Sequence, residues 1–176
     1  MSKEILLVML EFDNWEQARS WSYTGSYAFI DGFRENGHHC TLLPAIHGRA
    51  PDAPDSFINH AEVLLAGRTF DEAWIWCNHA AFDERFWIWL KKVAPVRVGV
   101  VLESLNHSDE ELEALPFLAK RREDAFTCLP HCTHAIAADE ADVKEIQEQF
   151  GIPTLWNVFM VPENFIREDA PPTSDI

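Results

Sequence analysis

The stretch from Glu4 to Leu43 most constrains what this chain can fold into. Glu4–Leu10 (EILLVML) is an apolar run rich in Ile, Leu and Val, the pattern of a buried strand. A polar loop follows and ends at Thr24-Gly25-Ser26. Tyr23, Tyr27, Ile30 and Phe33 then share one helical face, and Gly37 stands where a helix C′ glycine belongs. Cys40-Thr41-Leu42-Leu43 is a second apolar run. Strand, loop, helix, strand is one βαβ unit, whose crossover is expected to be right-handed with both strands parallel in one sheet. Ligands of such sheets bind outside the carboxyl ends of the strands, so the loop 11–26 is the first place to look for function.

The same alternation continues. Pro44–Pro54 reads as a loop. Asp55 is placed to cap a helix running to about Arg68, with Phe57, Ile58, Ala61, Leu64 and Leu65 on its apolar side. Glu72–Cys77 reads as a third strand, and Asn78–Ala81 as a loop. Phe82, Phe86, Leu90 and Val93 recur at helical spacing until Pro95 ends the helix. Val96–Leu102 is nearly continuous in β-branched residues and predicts a central strand. Leu105–Glu111 reads as a loop or a short helix start, and Pro116 opens a helix to about Leu129. His134–Ala138 is a fifth strand, Asp139 the N-cap of a helix over Ala141–Phe150, Gly151 its stop, and Thr154–Val158 a sixth strand. Strands alternating with helices predict a single Rossmann-like three-layer α/β domain over residues 1–166. It should have about six mostly parallel strands and helices on both faces. Residues 167–176 are acidic and Pro-rich and read as a tail or linker.

Charge and cysteine usage exclude some partners. The formal net charge of −15 disfavours nucleic acid and anionic membranes, whose phosphates would be repelled. No apolar run approaches the roughly 20 residues of a transmembrane helix. The sequence begins without the basic and apolar regions of a signal peptide, and its four cysteines suit reduced thiols, which together suggest a cytosolic protein. Cys128, His131, Cys132 and His134 look at first like a metal cluster, but their spacing is not a usual zinc spacing, and no metal is expected.

Polar residues recur at the expected carboxyl ends of the strands. Glu11 and Asp13 follow the first, Asn78 and His79 the third, Glu103 and Ser104 the fourth, Asp139 and Glu140 the fifth, and Glu163 and Asn164 the sixth. Singly, such residues suit solvated loops; their convergence on one rim suggests a polar pocket. Ser22–Ser26 could offer backbone N–H groups and hydroxyls at a helix start, to an anion or a sugar hydroxyl, or simply cap that helix. Trp15 and Trp21 lie in the first loop, where rings can stack on sugars or form a small loop core.

The order of these parts resembles the amino-terminal half of a glycosyltransferase of the GT-B fold. Thr24-Gly25-Ser26 matches that family's Gly-containing loop, and Asn36–Leu43 its helix end with a Gly-His pair and following strand. His134–Glu140 resembles the strand and helix start that carry an Asp or Ser followed by Glu. Gly151-Ile-Pro153 and Phe159–Phe165 resemble the segment leading to the second domain. The resemblance implies an acceptor-binding domain. Thr24, Gly25 and Ser26 would contact a hydroxyl-bearing acceptor, with Asp13, Asn78, His79, Ser104, Asp139 and Glu140 around it and Glu103 as a base. It implies no cofactor, and a nucleotide-sugar donor held mainly by a separate donor-binding domain. Trp156–Phe165 would contribute to the surface that meets that domain. Departures are the long first loop, and Glu103-Ser104 where the family often has His. The second reading is a flavodoxin-like or other non-enzymatic binder of small ligands, since Ser22–Tyr27 nearly matches a flavin phosphate loop.

Overall fold

The structure is a computed structural model that describes residues 1–10, 25–45, 54–78 and 82–157. Six strands form one sheet: β1 (Glu4–Leu10), β2 (His39–Ala45), β3 (Glu72–Trp76), β4 (Val96–Val101), β5 (His134–Ala137) and β6 (Thr154–Trp156). Their order is β2-β1-β3-β4-β5-β6 and every neighbouring pair is parallel. The helices are α1 (Gly25–Glu35), α2 (Pro54–Leu64), α3 (Glu84–Val93), α4 (Asp109–Ala114), α5 (Pro116–Cys128) and α6 (Glu140–Phe150). A 3₁₀ turn, Leu129–His131, follows α5.

The two-residue period of the strands sorts their apolar side chains into two cores. Ile5, Leu7, Met9, Trp76, Val98, Val100 and Ile136 lie on one face, where Phe29, Ile30 and Phe33 of α1 pack. Leu6, Val8, Ala73, Ile75, Cys77, Val101, Ala135 and Ala137 lie on the other, with residues of α2, α3, α5 and α6. The chain steps one way across the sheet from β1 to β2 and the opposite way from then on. Right-handed crossovers place helices in this arrangement, α1 on one face and the later helices on the other. The reversal puts the topological switch between β1 and β3.

Local signals fix most helix ends. Gly37 and Gly151 take positive φ (79° and 67°), which glycine adopts without a Cβ penalty. Asp83 caps α3 by accepting from Phe86 N at 2.8 Å. Asp139 caps α6 by accepting from Ala141 N at 2.9 Å. Of the two readings of Leu105–Glu111, loop or short helix start, the second holds from Asp109, where α4 begins behind a reciprocal capping box between Ser108 and Glu111. Ile58, Ala61 and Leu65 are buried as the helical spacing requires. Two readings there need correction. Leu64 is 56% exposed because α2 ends at it, and Asp55 lies inside a helix that begins one residue earlier. Of the four central tryptophans expected in the core, Trp76, Trp87 and Trp89 are buried, and Trp74 is half-buried against Phe29 and Phe33. The tail 167–176 and the boundary at 166 lie outside the described residues. Among the described residues no helix is long and apolar enough to cross a membrane.

His131 sits near the amino ends of β4 and β5, away from the expected site. Its ring stacks on Trp87, with centroids 4.6 Å apart and planes within 10°. Burial, then the positive charges of Lys91 and Arg97, push the imidazole below its usual value. A depressed folded-state value means stability that is present above the unfolded value and lost as pH falls through the folded one. His131→Phe keeps a flat ring on Trp87 and removes the titration. Its urea-unfolding stability is therefore expected to fall less than wild type between about pH 7 and 5. Identical slopes in the two proteins would refute this account.

Candidate functional site

At the carboxyl edge, side chains take over where the strand ladders stop. Cys77 N still donates to Val100 O at 2.9 Å. The next rung is made by a side chain: Asn78 Oδ1 accepts from Leu102 N at 3.0 Å. Because a backbone N–H can only donate, this bond assigns the amide orientation, with Oδ1 toward Leu102. Asn78 is fully buried (0% exposed), and among the described residues its Nδ2 has no hydrogen-bond partner. A buried donor in that state costs about 1–3 kcal/mol.

Beyond β4 the chain enters a polar turn held by α6. The Ser104 hydroxyl donates to Asp139 Oδ2 at 3.0 Å and accepts from Asn106 N at 3.1 Å. Asp142, one turn along α6, is fully buried. It accepts from Leu105 N at 3.0 Å and from Asn106 Nδ2 at 2.7 Å. Burial holds its carboxyl above the usual range; the two donors oppose that, and the charges of Asp139 and Glu145 reinforce it. The Glu103 carboxylate forms an ion pair with Arg121 of α5, whose guanidinium also lies 4.8 Å over the Phe117 ring.

The residues singled out from sequence thus separate into groups. Ser104 and Asp139 meet directly, and Asn78 bonds the residue preceding Glu103. Glu103 is drawn toward α5. Glu140 is the exposed first residue of α6, and Gly25 and Ser26 open α1. Asp13, Thr24 and His79 lie outside the described residues. Asn106, Arg121 and Asp142 were missed. Asp142 had a local signal, three residues after the N-cap Asp139 and therefore on the same side of the first turn. Arg121 had none, since its partner is fixed by how α5 packs.

The suspected metal cluster is dispersed. Cys128 and Cys132 are buried in the same core as Cys77, His131 stacks on Trp87, and His134 is exposed. Among the described residues no group of three or more His, Cys, Asp and Glu side chains is placed to hold a metal ion. Hydrogen bonding to Cys128 and Cys132, then burial, raises the Cys77 thiol well above its usual value. The Cys77 thiol is therefore a protonated core group rather than a ready ligand.

Chemically, the described edge offers an amide donor, a serine hydroxyl and several carboxylates. Its acidity suits a neutral, hydroxyl-bearing ligand better than an anion. Comparison of the chain with protein-family models, with curated proteins and with solved structures finds no match.

Proposed function

We propose that this chain is the acceptor-binding half of a nucleotide-sugar-dependent glycosyltransferase of the GT-B type. The reading rests on the ordered sequence resemblance. The observation that carries it is the polar carboxyl edge of β3, β4 and β5, where Asn78 bonds Leu102 and Ser104 bonds Asp139. Such an edge hydrogen-bonds sugar hydroxyls and leaves donor phosphates to a more basic partner domain. Positioning, more than an acid–base pair, is then this half's contribution to transfer. The exposed Leu155 (71%) and Trp156 (55%) at β6 are consistent with a surface toward that domain.

The chain alone is expected to bind methyl glycosides weakly, in the millimolar range (about −4 kcal/mol), and to transfer no sugar from labelled nucleotide sugars. Binding would be read by saturation-transfer NMR and transfer by chromatography. Turnover by residues 1–176 alone would show the donor-site assignment to be wrong. The strand order favours the flavodoxin-like alternative at one point, since sheets of order 2-1-3-4-5 bind flavin at the β1/β3 switch. Incubation with flavin mononucleotide decides it: retained visible absorbance after gel filtration would replace the sugar reading.

A further inference from the structure

We infer that Asn78 is a specificity-determining residue of this edge: its Nδ2 donates a hydrogen bond to a ligand oxygen, directly or through one ordered water. This deepens the proposed function and rests on it for the ligand class, a neutral sugar. The residue stands at the carboxyl end of β3, beside the switch between β1 and β3 where doubly wound sheets take their ligands. Its carbonyl is committed to Leu102 N, so only the amide N–H groups remain for a ligand. Those N–H groups are buried without a partner among the described residues, a state that folded proteins rarely leave uncompensated. The neighbouring Ser104 and Asp139, by contrast, bond each other. The polarity follows: a ligand must present an oxygen lone pair to Asn78, and an analogue carrying a methylene there leaves the amide unpaired and is rejected. A bridging water serves the same polarity, because it accepts from Nδ2 and passes a donor onward.

The experiment is an NMR titration of the full ¹⁵N-labelled chain with methyl β-D-glucopyranoside, inorganic phosphate and flavin mononucleotide, each in a separate arm. The readouts are the Asn78 side-chain NH₂ pair and the Leu102 backbone N–H. The sugar is expected to shift the NH₂ pair, and Asn78→Asp to weaken sugar binding about tenfold. That variant keeps an oxygen for Leu102 N–H, whose unchanged shift reports an intact edge. If the variant fails to fold, the wild-type titration still decides. Sugar binding that shifts other residues of the edge but leaves the Asn78 pair unmoved overturns this inference and leaves the glycosyltransferase reading standing. A shift of the pair with phosphate or flavin mononucleotide only supports the amide's role and removes the sugar reading. No movement of the pair with any of the three probes overturns the inference.

Discussion

Gly99→Val is expected to destabilise the protein by about 3 kcal/mol or more, measured by urea unfolding. Gly99 lies in the middle of β4, paired with Ile75 of β3 and Ala135 of β5. By strand alternation it belongs to the face covered by α2, α3, α5 and α6. A Cβ there would meet Cys132 Sγ at 3.1 Å, Cys77 Sγ at 3.2 Å and Leu129 Cδ2 at 3.2 Å. Native packing has no slack to absorb two further methyls beyond that carbon. Gly99→Ala should cost less, about 1–2 kcal/mol, because the neighbours need shift only a few tenths of an ångström. Truncating the nearest sulfur should relieve it. Cys132→Ala in the Gly99→Ala background is expected to cost less than Cys132→Ala in wild type, with a coupling of about 0.5–1 kcal/mol. The opposing effect is the backbone entropy that alanine removes from the unfolded chain, about 0.4–1 kcal/mol. A Gly99→Ala protein as stable as wild type would show that entropy, and not contact with the thiols, governs this position.

Gly99 also shows where reading the sequence stops. The run Val96–Leu102 predicts a central strand from its own residues, and β4 is there. A glycine inside such a run signals close approach, but the approaching groups come from Cys77, just past β3, and from Leu129 and Cys132 after α5. No local pattern names them. Gly37, Gly151, Asp139 and Pro116 were legible because their task lies within a few residues of chain. The capping box at Ser108 and Glu111 was equally local and could have identified α4. Cys128, His131, Cys132 and His134 are close in sequence, yet only the two cysteines share a core, while His131 stacks on Trp87 and His134 is exposed. At the site, position was legible and partnership was not. Glu103 was expected at the end of β4, which is correct, but its partner is Arg121, eighteen residues on. Which way a carboxylate turns at a strand end depends on the helix that packs above it.

Asp142→Ala is expected to cost about 3 kcal/mol, because it strips a buried backbone donor of its acceptor and breaks a second bond. Leu105 is fully buried and its N–H has the carboxylate at 3.0 Å; Asn106 Nδ2 has it at 2.7 Å. These two bonds tie the turn after β4 to the first turn of α6, so amide exchange at Leu105 should accelerate along with the loss of stability. Asp142→Asn separates charge from contact. It keeps an oxygen for Leu105 but sets an amide against the amide of Asn106, so a loss of about 1 kcal/mol is expected near neutral pH. The pH dependence carries the sharper information. Burial raises the Asp142 carboxyl above its ordinary value of 3.8. A folded-state value raised in this way gives stability that is full below the unfolded value and lost as pH rises through the folded one. The advantage of wild type over Asp142→Asn should therefore widen as the solution is made acidic, while titrations common to both proteins cancel in the difference. If the advantage narrows instead, the hydrogen bonds from Leu105 and Asn106 outweigh burial, and the carboxylate is held in its charged form by the turn it anchors.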